Sequence, residues 1–242
     1  LPLLQPMLQP TAVAAHRASA LCVFADVMEH CIDAGAAGGA PYVSGLFPTF
    51  LQYSQDTEPE VRQAAVYGLG VLAQKAPDGV FTAELQRHAA EALVACCEAR
   101  GADDDMEAAT DNAVAALGWL CKRTEAIGAI GWPRWLQSLP LQMDKDEARR
   151  VHKLLVDAVE ASNTLLLGAS HERLPEIICV FGMVLGTDTL ARPQRLRVMY
   201  QLKDAHGNTR VDGGPRPSLR WDGGGSEGWL PSGCGGVRTC AP

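Results

Sequence analysis

The stretch from Asp56 to Lys75 sets the pattern that the rest of the chain follows. Val61, Ala64, Ala65, Gly68, Leu69 and Leu72 recur at the spacing of one buried helical face. Asp56 opens a turn ahead of it and Pro59 suits the first helical turn. Glu58 and Glu60 add negative charge at the positive end of the helix dipole. A turn leading into an amphipathic helix is therefore expected.

The helical part recurs. Arg62 begins RQAAVYGLGVLAQ, and it overlays RASALCVFADVME from Arg17, TDNAVAALGWLCK from Thr110 and RRVHKLLVDAVEA from Arg149. The inward positions are Ala20, Val23, Phe24, Val27 and Met28 in the first copy. They correspond to Ala65, Gly68, Leu69, Leu72 and Ala73, then to Ala113, Ala116, Leu117, Leu120 and Cys121. The fourth copy keeps Leu155, Val156 and Val159 but carries His152 and Glu160 at its ends. A partner helix is expected before each later copy, over 41–54, 82–99 and 133–142, with a further one over 174–185.

Two helices recurring about every 40–47 residues are the signature of a HEAT-type α-solenoid. Neither helix of a pair can bury its apolar face alone, so stacked neighbours supply the core. The expected fold is all-α, a right-handed superhelix of antiparallel helix pairs over residues 1–202. Gly68, Gly70 and Gly118 each cost about 1 kcal/mol of helix propensity relative to Ala. Close helix–helix approach is the expected reason for them. Pro193 can open a last helix (QRLRVMYQL), although its face matches the earlier copies poorly. Residues 203–242 are rich in Gly and Pro with no apolar period, the composition of a disordered tail.

Composition supports this reading. Apolar residues make up 47% of the 242 and aromatics only 6%, which with abundant Ala and Leu favours helix. A net charge of −7 argues against direct nucleic-acid binding, which needs a basic face. It is compatible with basic partners. The eight cysteines form no CxxC pair, and they read as reduced cytosolic or nuclear thiols acting as small hydrophobes. The apolar first residues are broken by Pro2, Pro6 and Pro10 and lack a basic lead, so they do not read as a secretory signal. The charge-free stretch 34–55 holds too much Gly, Pro, Ser and Gln to span a membrane.

No catalytic, cofactor or metal constellation is expected. The histidines are spread over different units, and the glycines at 35–39 lack the Lys-Ser/Thr of a phosphate loop. Asp103, Asp105 and Glu107 hint at a calcium loop, but Ala108 stands where Gly is required.

Several blocks in order carry a resemblance. ALCVFADVMEHC (Ala20–Cys31), PEVRQAAVYGLGVLAQ (Pro59–Gln74), TDNAVAALGWL (Thr110–Leu120) and WLQSLPLQMDKDEA (Trp135–Ala148) resemble the C-terminal HEAT repeats of the importin-β (karyopherin-β) superfamily. The likeness is greatest to the subgroup of large importers that carry ribosomal proteins and histones. It continues through Leu154–Gly168 and Leu174–Leu185.

The resemblance implies a longer transport receptor that shuttles between cytoplasm and nucleus. It implies basic cargo on a concave surface, release by the GTPase Ran, and passage through pores by contact with Phe-Gly nucleoporins. The Gly-rich tail departs from that family pattern. Composition and period alone equally allow a generic HEAT-repeat scaffold for protein–protein assembly.

Two sets of residues are candidates for partner contact. The stripe opposite the buried face of the recurring helices offers Glu29, then Gln63, Tyr67 and Gln74, then Asp111 and Lys122, then Arg150 and Asp157. It reads either as a surface for an extended basic peptide or as a solvated face. Acidic residues recur at the turns, including Asp103, Asp104 and Asp105, then Asp144 and Asp146. They read either as an acidic edge that attracts basic cargo or as helix caps and dipole partners. Trp119, Trp132 and Trp135 read as packing between repeats, or as a slot for nucleoporin aromatics.

Overall fold

The computed structural model describes residues 2–33, 36–98 and 106–199, with side chains left aside over 31–41. The region expected to form a tail lies outside the described residues, which contain helices and no strand. After a 3-10 helix (Pro2–Leu8) the helices are α1 (Ala14–Asp33), α2 (Ala36–Tyr53), α3 (Pro59–Lys75) and α4 (Ala83–Glu98). Next come α5 (Glu107–Arg123), α6 (Glu125–Gln137), α7 (Lys145–Glu160), the short α8 (Thr164–Leu167) and α9 (Leu174–Leu185). A last helix, α10, covers 192–199.

These helices stack in two rows. α1, α3, α5 and α7 follow one another in an inner row, and α2, α4, α6 and α9 in an outer row. The chain is an all-α solenoid, with one core running between the rows.

The core follows the recurring pattern. Ala65, Leu69 and Leu72 of α3 and Ala113, Leu117 and Leu120 of α5 are fully buried. Because α3 has α1 on one side and α5 on the other, almost every position from Ala64 to Ala73 is covered; Tyr67 is the exception. Two of the expected glycines mark close approaches between helices. A Cβ on Gly68 would overlap the Phe50 ring of α2, and one on Gly118 would lie 3.0 Å from Leu154 Cδ2 and against the Trp135 indole. Trp132 and Trp135 are buried edge to face, with ring centroids 5.0 Å apart.

Helix termini follow local chemistry. The Asp56 carboxylate accepts the Glu58 N–H at 2.9 Å, shaping the turn before α3. Asp144 caps α7 by accepting the N–H groups of Asp146 and Glu147. Asn163 does the same for α8.

Two of these expectations need correction. The partner helix expected over 133–142 is α6, which begins at Glu125 and ends at Gln137. The Thr124 hydroxyl accepts the Ile127 N–H and starts the helix one residue after α5 ends, so Pro133 falls in its interior. Ser138 to Asp144 instead form a connection with a cis Leu139–Pro140 peptide. Val23 and Val27 were expected to point inward, yet Val23 is 42% exposed and Val27 half-buried. Leu21 and Ala25 take the buried positions, because α1 turns its face toward the seam it shares with both α2 and α3. The last helix that Pro193 was expected to open is α10, and it buries Val198 while Leu196 and Met199 stay exposed.

Candidate functional site: the inner row

Helical periodicity leaves each inner helix one stripe facing solvent, and most candidate contact residues lie on it. Glu29 of α1 is half-buried, and Gln63, Tyr67 and Gln74 of α3 are exposed. So are Lys122 of α5 and Arg150 of α7, whereas Asp157 is half-buried.

The N-terminal end of the stripe is acidic. The Tyr67 hydroxyl donates to Glu29 Oε2 at 3.1 Å, and Lys75 Nζ stands 3.8 Å from the other Glu29 oxygen. Asp26, one turn before Glu29, is exposed beside them. Partial burial raises the Tyr67 phenol above its ordinary range, and the Glu29 and Asp26 carboxylates add to the rise. The Arg150 guanidinium opposes it, which brings α7 within electrostatic reach of α3.

In the middle, Trp119 is half-buried with Lys122 Nζ 5.7 Å from its ring, a cation–π arrangement. Arg150 pairs with Glu147 at 3.4 Å. Burial pushes the Glu147 carboxyl above its usual range, and Arg150 pulls it back down.

The far end is internally neutralised. Asp157 Oδ2 accepts from Lys153 Nζ at 2.5 Å and Oδ1 from Arg197 of α10 at 2.8 Å. Arg197 Nε also donates to Glu160 at 2.7 Å. Partial burial works against the Asp157 carboxylate, but the two cations hold it below the usual range.

One candidate is displaced from the stripe. Asp111 is 1% exposed, and its Oδ2 accepts the backbone N–H groups of Gln142 at 2.8 Å and Met143 at 2.7 Å. It belongs to the joint between α5 and the connection into α7, and its side chain is not presented to a partner. The overlay placed it at the solvent-facing position of Gln63, but here the stripe of α5 runs one residue later, through Asn112 and Trp119.

The acidic turn residues are likewise engaged locally. Asp144 is the α7 cap, and Asp146 pairs with Arg149 at 2.5 Å. Asp103, Asp104 and Asp105 lie outside the described residues.

Joints between repeats use the same logic. Arg17 of α1 reaches Asp56 in the turn before α3 at 3.2 Å. Arg149, at the corresponding place on α7, donates to the Asp188 carbonyl at 2.9 Å in the turn before α10. Sequence reasoning missed Asp26, Glu147, Lys153 and Arg197 as members of the inner stripe. Asp26 was legible, one turn from Glu29 on the same face; Arg197 was hidden by the weak pattern of α10.

Residues 46–76 match the HEAT repeat. Over 170 residues, 68% of its length, the chain is 24% identical to the probable importin-5 homolog of Dictyostelium discoideum. That alignment covers 16% of the relative, so the chain corresponds to a small part of it. The chain is thus a HEAT-repeat solenoid with an importin-like relative. Among the described residues no helix is long and apolar enough to cross a membrane.

Proposed function

We propose that this solenoid works as part of a nuclear transport receptor of the importin type, in the subgroup that carries ribosomal proteins and histones. It acts by binding and release, without chemistry. The inner row holds basic cargo, and Ran in its GTP form discharges it. Contacts with Phe-Gly nucleoporins carry the complex through the pore between cytoplasm and nucleus.

The observation that carries this reading is the exposed acidic end of the inner row. Asp26 and Glu29 stand beside Tyr67 there, in a chain whose relative is an importin homologue. Carboxylates on a water-facing surface attract lysine and arginine side chains and speed encounter at low salt.

The test joins this solenoid to its upstream repeats and measures capture of a histone tail with and without Ran–GTP. Capture that Ran–GTP abolishes is expected. Capture indifferent to Ran–GTP would make the chain a generic HEAT-repeat scaffold, and no capture would remove the cargo reading altogether.

A further inference from the structure

The joint that attaches α10 differs in kind from those along α1, α3 and α5. Those helices share seams of Leu, Val and Ala with glycines at the closest approaches. α10 and its leading turn bury Leu190 and Val198, and a set of polar contacts also ties them to α7. Lys145 Nζ meets Asp188 at 2.9 Å, Arg149 holds the Asp188 carbonyl, and Arg197 closes on Asp157 and Glu160.

At the centre of the joint lies His152, 1% exposed. Its Nδ1 stands 3.1 Å from the Thr189 carbonyl oxygen. A carbonyl only accepts, so Nδ1 carries the proton and Nε2 is the bare nitrogen of a neutral imidazole. Nε2 is buried with no hydrogen-bond partner among the described residues. A proton added there would create a buried charge whose new N–H has nothing to donate to.

We propose that this joint is an electrostatic latch. Protonating His152, or screening the surrounding ion pairs, releases α10 and its turn while the inner helices before it stay packed.

The charged groups around the imidazole set the sign. Asp111 faces it from α5 and favours the imidazolium, as does the Thr189 carbonyl, while burial disfavours it and wins. On the turn, Asp188 is taken up by Lys145, and on α7 itself Arg149 points to the Asp188 carbonyl. The folded imidazole therefore takes a proton only below the ordinary value of about 6.5.

His152 takes the proton first in the released state, where its imidazole is no longer buried. The attached state loses ground as pH falls from about 6.5 toward the lowered value, by about tenfold per pH unit. Lys153 and Arg197 hold Asp157 below its usual range, and Arg197 holds Glu160 below its own, so both remain charged through this window. Release also returns both carboxylates to the inner stripe.

Hydrogen exchange on the full chain tests this, corrected for the intrinsic pH dependence of exchange and using α3 and α5 as internal references. Between about pH 7.5 and pH 5.5, protection over 187–199 should fall several-fold relative to 64–72 and 113–120, toward a ceiling of about tenfold for one imidazole. His152→Asn keeps a side-chain N–H for Thr189 but cannot titrate, so it should retain protection at neutral pH and lose the acid response. It also separates His152 from Glu147, which faces α5 and remains in the variant.

Raising salt from about 0.05 M to about 1 M should loosen 187–199 at neutral pH, and Arg197→Gln should reproduce that loosening at low salt. If 187–199 keeps the protection of α3 and α5 throughout, or if His152→Asn responds to acid as the wild type does, the latch is overturned. Should His152→Asn not fold, the wild-type pH series and Arg197→Gln still decide. None of these readouts needs cargo, so the transport proposal can fail without affecting them.

Discussion

The Asp111 carboxylate accepts the Met143 backbone N–H at 2.7 Å across the joint between α5 and the connection into α7. With the Gln142 N–H on the same oxygen, it satisfies two backbone donors that the irregular connection would otherwise leave open. The backbone is fixed from a neighbouring helix in place of a helix of its own.

Asp111→Ala should therefore cost about 1–3 kcal/mol, since it removes a charged acceptor from two backbone donors in a part-buried joint, and Asp111→Lys, which sets a cation in that buried place, should cost more. Urea denaturation of the two variants measures this. A stability change under about 0.5 kcal/mol, typical of solvated surface positions, would show that the carboxylate is dispensable to the joint.

A second prediction concerns the contact between α2 and α3. A side chain at 68 would occupy space that the Phe50 ring fills. Gly68→Val should destabilise by about 1–3 kcal/mol or more through overpacking, despite its gain of apolar surface. Phe50→Leu in the same chain should recover part of that loss, because the two changes act on one volume. Strict additivity in a double-mutant cycle of thermal unfolding would contradict the close approach.

The buried faces of α3 and α5 were legible because a period near 3.6 is a property of each helix alone. Leu69, Leu72, Leu117 and Leu120 lie where the spacing put them. What the spacing could not give was the rotation of each helix against its neighbours. Val23 lies outside because α1 meets two partners at once, and Asp111 inside because the stripe of α5 is shifted by one residue. The start of α6 hung on one hydroxyl, Thr124, competing with the stronger-looking Pro133 signal. Arg197 comes to Asp157 from forty residues away, and no local pattern contains that pairing.

Asp144 allows the two readings of the turn acids to be separated. Its carboxylate accepts from Asp146 and Glu147 at 2.8 and 3.0 Å as the cap of α7. Asp144→Ala should lose about 1 kcal/mol of stability, and Asp144→Ser, which caps almost as well, should lose little. Both remove the same charge. If cargo association falls equally in the two variants while stability differs, the residue also steers ligands; if association is unchanged in both, it is a cap alone.

The inner stripe gives the last prediction, and its two acidic ends should behave differently. At the α1 end, Asp26 faces solvent and Glu29 is shared between a phenol and a lysine 3.8 Å away. At the α7 end, Lys153 and Arg197 already neutralise Asp157. A basic ligand should therefore feel the first end far more than the second. Asp26→Lys combined with Glu29→Lys should slow association of a histone tail, more at about 0.05 M salt than at about 0.5 M, because screening removes the long-range attraction. Asp157→Lys should change association much less and should instead lower stability, by setting a third cation against Lys153 and Arg197. Stopped-flow association across a salt series, with melting curves for each variant, distinguishes the two ends. Equal kinetic losses at both would mean that the ligand displaces Arg197 on binding, and no loss at either would move the binding surface off the inner row.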